Sequence, residues 1–175
     1  LYVPDCEISF PVLQAKDNQY YLNHTVNGEY NPRGSIFLDA NADAQFKNDN
    51  SIVYGHSVEG GGMFTLLKNY CDEQFFKEHS VFYLLTPEAN YKCNVFTFAK
   101  TIEDSVFYTT SFGGSRQETI ESMKESATYL NDLVSTEGNF ISLSTCDLDY
   151  GFDSNHRFVL TGHLEKTSDD IVLKD

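Results

Sequence analysis

Basic residues are scarce in this 175-residue sequence, which has 12 Lys and Arg against 26 Asp and Glu and a formal net charge of −14. No two of the basic residues are adjacent. A phosphate-binding surface needs clustered Lys and Arg, so the sequence argues against a nucleic-acid partner. A substrate with a free amine or a basic segment is electrostatically compatible, although acidity that simply keeps a protein in solution is the commoner explanation.

Long apolar runs and closely spaced cysteines are also missing. No segment reaches the roughly 20 apolar residues that a membrane-spanning helix needs. The four cysteines have no Cys-x-x-Cys spacing, which argues against zinc or thioredoxin-like chemistry. They are Cys6, Cys71, Cys93 and Cys146. Three neighbouring aspartates lack the spacing of an EF-hand calcium-binding loop, so no metal site is expected. They are Asp39, Asp43 and Asp49.

Aromatic residues are plentiful, with 14 Phe and 11 Tyr. Together with the β-branched residues they favour a β-rich fold, and the length suits one domain over residues 1–175 with a sizeable core. Runs of β-prone residues between turn-rich segments predict seven strands. They are Ile8–Leu13, Ser35–Leu38, Ser51–Tyr54, Val81–Leu85, Tyr91–Ile102, Phe140–Thr145 and Arg157–Leu164. This number and spacing predict a closed or nearly closed β-barrel of seven or eight strands.

One long helix is predicted over Ser115–Thr136. Ser115 and Glu118 have the spacing of a capping box, and Gly138 offers a stop. Apolar residues then recur at intervals of three and four, which indicates one buried helix face. They are Ile120, Met123, Ala127, Leu130 and Val134. Shorter helical pieces are predicted over Met63–Tyr70 and Glu73–Glu78.

Three side chains at the ends of predicted strands have the chemistry of a cysteine acyl-transfer site. Cys146 ends one strand, Arg157 begins the next, and His56 follows a third. A thiolate can attack a carbonyl, an imidazole can exchange protons, and an arginine can steady an oxyanion. The 11 positions from Cys146 to Arg157 allow neighbouring strands to bring the two side by side.

Each of these residues also has an ordinary structural interpretation. A cysteine at a strand end is often a small buried hydrophobe, as is expected for the other three cysteines. The glycines around His56 suit close backbone approach to a ligand, yet they also suit a flexible turn. The sequence places His24, His79 and His163 in surface-like contexts. His156, next to Arg157, stays an alternative.

The motifs containing these residues resemble those of the sortases, and more narrowly of class B sortases. Tyr54-Gly55-His56, Leu143-Ser144-Thr145-Cys146 and Arg157 match the family's three catalytic positions in the family's order. Further class B matches extend the resemblance from the first strand to Leu164. They are Ile8-Ser9-Phe10-Pro11-Val12, Asp17-Asn18, Tyr21-Leu22-Asn23, Gly34-Ser35-Ile36-Phe37 and Gly62-Met63-Phe64.

The resemblance implies a mechanism and a fold. In the mechanism, Cys146 attacks a C-terminal sorting signal of a secreted protein, His56 protonates the leaving amine, and Arg157 stabilises the oxyanion. A cell-wall precursor amine then resolves the thioester. The implied fold is mainly β, a closed barrel with a long helix before the cysteine strand and short peripheral helices.

The resemblance also implies substrate contacts, although Glu103 and Phe107 differ from the family's commoner choices, so the signal sequence is not fixed. Turn formation and packing are an equal alternative for these positions. The implied substrate-binding residues are Asn18, Leu22, Phe107, Tyr108, Ser144 and Thr145.

The expected partners are the signal peptide and the peptidoglycan-precursor amine, with no cofactor and a monomeric state. A pilin lysine is the alternative acceptor. Other interpretations are a non-catalytic β-barrel binding module and a secreted cysteine hydrolase. The chain opens on Leu1 rather than Met, so an N-terminal anchor outside this chain is expected to hold it at the extracellular face of the membrane.

Overall fold

A computed structural model describes residues 1–151 and 153–173, and nine strands among them form one curled sheet. The strands are β1 Tyr2–Val3, β2 Ile8–Ser9, β3 Phe37–Leu38, β4 Asn50–Tyr54, β5 Val81–Leu85, β6 Asn90–Ile102, β7 Tyr129–Leu130, β8 Phe140–Cys146 and β9 His156–Thr167. The α-helices are α1 Glu73–Glu78 and α2 Arg116–Ser126. Short 3-10 helices cover Tyr20–Leu22, Thr65–Cys71, Val106–Tyr108, Gly113–Ser115 and Leu148–Tyr150. No helix in these described ranges is both long and apolar enough to cross a bilayer.

Eight strands follow one path in the order β2-β1-β5-β6-β9-β8-β4-β3, and β7 pairs separately with β6. Neighbours on the path are antiparallel except for β4 and β8, which run parallel. A parallel bridge between Leu13 and Phe37 joins the segment after β2 to β3 at the opposite edge. The mainly β fold expected from the sequence is therefore confirmed, as a curled sheet with eight strands along its main path.

Two apolar clusters lie on the two faces of the central strands. In β9, Phe158 and Leu160 belong to the larger cluster, and Val159 belongs to the smaller one. This alternation is the period-two pattern of a strand with different surroundings on its two faces. The smaller cluster also contains Ile120 and Met123, so α2 packs outside the curled sheet.

The long helix predicted over Ser115–Thr136 is wrong in its second half, because α2 ends at Ser126. The backbone N–H of Thr128 donates to Phe98 O at 2.9 Å, and Tyr129–Leu130 pairs with β6. The exposed edge of β6 thus offers backbone hydrogen bonds that outweigh helix propensity. Ala127, Leu130 and Val134 still pack on the smaller cluster, so the apolar spacing indicated burial correctly.

The predicted capping box is also absent. The Ser115 hydroxyl donates to Phe112 O at 3.1 Å and makes no capping bond to the helix.

The accuracy of the predicted element boundaries varies along the chain. Val81–Leu85 and Glu73–Glu78 have the predicted bounds. The N-terminal predictions were too long, because Ile8–Leu13 forms a strand only at Ile8–Ser9 and Ser35–Leu38 only at Phe37–Leu38. The predicted helical piece Met63–Tyr70 is a 3-10 helix over Thr65–Cys71. The two-residue strands β1 and β7 were missed, since two residues show no periodicity.

Candidate active site

Strand pairing brings the thiol, the guanidinium and the imidazole to the same end of the sheet. Cys146 is the last residue of β8 and is directly paired with Arg157 of β9. On the other side of β8, Tyr54 at the end of β4 is paired with Ser144, and Gly55 N donates to Ser144 O at 3.1 Å. Since β4 and β8 are parallel, His56 lies two residues further on, at the level of Cys146.

These side chains line a cavity of about 350 Å³. Eight of the nine site residues predicted from the sequence belong to its walls. They are Asn18, Leu22, His56, Tyr108, Ser144, Thr145, Cys146 and Arg157. The cavity walls also contain residues that sequence reasoning did not assign to a site, namely Phe37, Tyr54, Gly55 and Glu103. Residues far apart in the sequence therefore converge on one concave surface, as in most ligand sites.

Phe107 is the predicted substrate-binding residue that the structure does not bring to the cavity. Its side chain is fully buried in the smaller apolar cluster. Its carbonyl accepts a hydrogen bond from Asn50 Nδ2 at 2.9 Å. The adjacent Tyr108 reaches the cavity instead, because consecutive residues of the short 3-10 helix point in different directions.

The imidazole of His56 has a fixed orientation. Its Nε2 lies 2.8 Å from Leu22 O. A carbonyl oxygen only accepts, so Nε2 carries the hydrogen of this bond. Gly55 is required beside it, because a Cβ there would lie 2.7 Å from the ring of Phe64.

The guanidinium of Arg157 is anchored from two directions. Nη1 donates to Ser154 O at 2.8 Å and to His156 O at 2.7 Å. Nη2 donates to the carboxylate of Glu103 in an ion pair. The Arg157 side chain is 15% exposed and that of Glu103 is 51% exposed. The charge of Arg157 is thus held against the cavity wall beside Cys146.

A hydroxyl network supports the end of β8. Ser57 Oγ donates to Cys146 O at 3.0 Å and lies 2.9 Å from Thr145 Oγ1. Because Ser57 has one hydroxyl hydrogen, Thr145 is the donor in the second bond. Sequence reasoning missed Ser57, although it immediately follows His56.

The tyrosine hydroxyls in the cavity are uncharged. Burial raises the pKa of Tyr108 to about 12, against the lowering effects of its Ser144 hydrogen bond and of Arg157. Burial also raises the pKa of Tyr54, and Asp39 raises it further. The two hydroxyls therefore stay protonated at neutral pH.

The amide of Asn18 already has partners within the protein. Its Nδ2 donates to Asp39 Oδ2 at 2.8 Å, and its Oδ1 accepts from Ala40 N at 2.7 Å. Tyr54 OH donates to the same carboxylate oxygen at 3.1 Å. Asn18 therefore shapes the cavity wall together with Asp39 and Tyr54.

The other histidines have separate partners. His24 stacks on Tyr20 and His79 stacks on Phe75. The Nε2 of His163 lies 2.6 Å from Glu137 O. His156 stacks on Tyr150, with ring centroids 3.6 Å apart, and is not among the residues lining the cavity.

The remaining cysteines differ from Cys146 in their environment. Cys6 and Cys93 are buried core residues, as expected for small hydrophobes. Burial raises the pKa of the Cys6 thiol to about 12 and raises that of Cys93 further. Burial likewise raises the pKa of Cys71, partly opposed by Lys100. All four are free thiols. Within residues 1–151 and 153–173, no group of three or more His, Cys, Asp or Glu is arranged to hold a metal ion.

Comparison with known proteins identifies the family. The sortase domain profile matches residues 1–165. The chain belongs to the sortase family. Sortase B of Listeria monocytogenes is 34% identical over 167 residues, which cover 94% of this chain and 68% of that protein. Sortase B of Staphylococcus aureus is 29% identical over 164 residues, which cover 92% and 67% of the two chains.

Solved sortase B structures have the same fold. The L. monocytogenes enzyme superimposes with a TM-score of 0.81 at 33% identity, covering 94% of this sortase and 90% of that chain. An S. aureus sortase B–substrate complex gives a TM-score of 0.85 at 28% identity, covering 95% and 78%. A sortase B complexed with triglycine gives the same TM-score at 28% identity, with the same coverage. The class B resemblance is confirmed, and this sortase is a cysteine transpeptidase.

Proposed function

We propose that this sortase cleaves a C-terminal sorting signal of secreted proteins and transfers the acyl part to a cell-wall amine through a thioester on Cys146. The observation that carries the proposal is the direct pairing of Cys146 with Arg157, with His56 at the same level, on the wall of one cavity. The S. aureus sortase B–substrate complex, which has the same fold, supports a peptide substrate.

In the acylation step, the thiolate of Cys146 forms a bond to the carbonyl carbon of the scissile peptide. The carbonyl oxygen gains negative charge, and the fixed cation of Arg157 stabilises it. His56 as the imidazolium then gives a proton to the departing amine as the C–N bond breaks. The products are a thioester on Cys146, a neutral imidazole and a free amine.

In the second step, an amine attacks the thioester carbonyl and the C–S bond breaks. His56 takes a proton from the attacking nitrogen, and Cys146 leaves as the thiolate. The enzyme thus returns to the thiolate and imidazolium pair with which it began. Water in place of the amine gives hydrolysis, which competes with transfer.

Five cavity residues fit the peptide-binding role that the family resemblance implies, and Phe107 is left out because its side chain is buried outside the cavity. Leu22 supplies an apolar contact, and Tyr108, Ser144 and Thr145 supply hydroxyls near the nucleophile. Asn18 contributes through its contact with Asp39. We also propose that residues 1–175 act as a single catalytic domain, which is supported by the one sheet whose strands run from Tyr2 to Thr167. The proposed position at the extracellular face of the membrane follows from the family resemblance.

The test is acyl-enzyme capture with a library of signal peptides. Incubation should produce a mass increase on Cys146 equal to the acyl fragment, and Cys146→Ala should abolish it while the protein remains folded. An amine added afterwards should release the fragment as an amide. Peptide cleavage that proceeds equally well in Cys146→Ala would overturn the proposal.

A further inference from the structure

A buried amide side chain lies at the start of β4, away from the reacting groups. Asn50 is fully buried and is not among the residues that line the cavity. It stands four residues before Tyr54, which does line the cavity, so the two are about 13 Å apart along the strand. A buried polar side chain needs hydrogen-bond partners, and those of Asn50 lie in two different parts of the chain.

The amide nitrogen of Asn50 holds one irregular segment. Nδ2 donates to Phe107 O at 2.9 Å and to Thr109 O at 3.3 Å. Because the amide group has two hydrogens, one is available for each carbonyl. The backbone N–H of Asn50 also donates to Thr110 O at 3.3 Å. A single residue of β4 therefore fixes the backbone on both sides of Tyr108.

The orientation of the amide is set by the neighbouring strands. Its Oδ1 accepts from Ser142 Oγ at 2.9 Å, and Ser142 Oγ lies 2.9 Å from Thr161 Oγ1. Because Ser142 has one hydroxyl hydrogen, Thr161 is the donor in the second bond. Ser142 and Thr161 are as deeply buried as Asn50. Since β8 binds the amide oxygen, the amide nitrogen faces the segment that contains Tyr108.

Tyr108 connects this segment to the cavity. Its hydroxyl lies 2.7 Å from Ser144 Oγ, and both residues line the cavity. The buried ring of Phe107 and the amide of Asn50 hold the adjoining backbone. Because the tyrosine ring is rigid and carries its hydroxyl at the far end, a rotation of this backbone would move the hydroxyl away from Ser144.

We propose that Asn50 is a positioning residue for signal-peptide binding, because it holds Tyr108 where its hydroxyl can contact the bound peptide. This inference rests on the proposed function and adds a residue outside the cavity that determines affinity for the signal. We expect an effect on KM rather than on kcat, since the partners of Asn50 are backbone carbonyls and Ser142 rather than the reacting groups.

The test compares Asn50→Ala with Thr161→Val. Thr161→Val keeps the shape of its side chain and removes another hydrogen bond of the same buried network, so it controls for lost stability. Thioester formation on Cys146 is measured over a range of signal-peptide concentrations. We expect Asn50→Ala to raise KM about fivefold to tenfold, the effect of one lost hydrogen bond, with kcat little changed. Thr161→Val should leave both values unchanged.

A double-mutant cycle shows whether Asn50 acts through Tyr108. Tyr108→Phe removes the hydroxyl and should itself raise KM. In that background Asn50→Ala should add little, because the group that it positions is already absent. Effects on KM that multiply would overturn the proposal. So would a KM that Asn50→Ala leaves unchanged, or an equal rise in Thr161→Val.

Two further measurements separate positioning from damage to the fold or to the nucleophile. If Asn50→Ala does not fold, Asn50→Ser takes its place and should raise KM equally, because its hydroxyl is one bond nearer the backbone than the amide nitrogen. Alkylation of Cys146 by a small reagent should proceed at the normal rate in each variant, and slower alkylation would contradict an effect on peptide binding alone. Absence of a Cys146 thioester in the unsubstituted enzyme would instead overturn the proposed function and, with it, this inference.

Discussion

Arg157 makes several hydrogen bonds before any substrate arrives. Two backbone carbonyls hold Nη1, and Glu103 holds Nη2. The planar guanidinium can satisfy these acceptors and still present a hydrogen to an oxyanion, whereas a lysine ammonium is a compact point charge on a flexible stem. The planar shape of the guanidinium, as well as its charge, therefore determines how Arg157 can stabilise an oxyanion.

We expect Arg157→Lys to be severely impaired although its charge is retained. Loss of an aligned oxyanion donor costs about a hundredfold to a thousandfold in turnover. The change should appear in the rate of thioester formation with a signal peptide, and the melting temperature should stay close to that of the parent protein. Near-normal acylation by the lysine variant would show that only bulk charge is needed.

Glu103 should act as a positioning residue for Arg157. Glu103→Ala removes the acceptor that holds Nη2, so we expect the acylation kcat to fall about tenfold with little change in KM. Glu103→Gln retains an oxygen that accepts the same hydrogen bond and should restore most of the rate. A glutamine variant as slow as the alanine variant would assign the effect to the lost charge.

The four thiols should differ sharply in alkylation rate. Raised pKa values keep Cys6, Cys71 and Cys93 in the unreactive thiol form at neutral pH, and two of them are also buried. A small alkylating reagent should therefore modify Cys146 first, as followed by peptide mass mapping. Alanine substitution at each of the other three should preserve most activity. Faster modification of any other cysteine would contradict this assignment.

At the scale of secondary structure, Arg116 ties α2 to two distant segments. Its guanidinium donates to Asp49 Oδ1 at 2.9 Å and to Thr136 O at 2.9 Å, and it also contacts Gly138 O. Asp49 Oδ2 in turn accepts the N–H of Phe112 at 2.8 Å. One side chain thus joins the start of α2 to the segments that precede β4 and β8.

We expect Arg116→Met to lower the free energy of unfolding by about 1–3 kcal/mol, because it leaves partly buried acceptors without their donor. Urea denaturation followed by fluorescence would measure this. Lys124→Met is the matched control, since Lys124 has only a surface contact with Glu121 at 3.3 Å. Equal losses in the two variants would contradict a special role for Arg116.

The sequence predicted a strand or helix correctly where the pattern of its side chains is compatible with only one type of secondary structure. Successive residues of β9 point to opposite sides of the sheet, and Phe158 and Val159 do face different clusters. The prediction failed for the residues after Ser126. The spacing of apolar residues shows which side chains are buried, but it does not show whether their backbone is helical or extended. Their conformation depends on the free edge of β6, which is 28 or more positions away in the chain.

The three residues proposed to carry out the chemistry could be predicted from the sequence, whereas the residues that line the cavity could be predicted only in part. Cys146, His56 and Arg157 stand at strand ends, where a sequence motif suffices to locate them. Whether Phe107 or Tyr108 faces the cavity depends on how one short 3-10 helix is rotated about its axis. This helix has only three residues, so its sequence has no periodic pattern that would indicate the rotation. Ser57 and Glu103 act through contacts with distant residues, so their place became visible only in the folded chain.

The whole molecule should give a circular dichroism spectrum dominated by β-structure. Within the described residues the two α-helices have only six and 11 residues, whereas the strands β6 and β9 alone have 13 and 12. The long helix expected from the sequence would have made the helical contribution to the spectrum larger. A spectrum dominated by helix would contradict the curled sheet.

The order of the strands also sets when the enzyme can first become active. The C-terminal strand β9 lies between β6 and β8, so without it the path of paired strands is cut into two groups. It also supplies Arg157, the partner of Cys146. A nascent chain that has already exposed Cys146 and His56 therefore has neither a continuous sheet nor a complete site until its last strand has been synthesised. Acyl transfer by Cys146 therefore has to wait until β9 has joined the sheet.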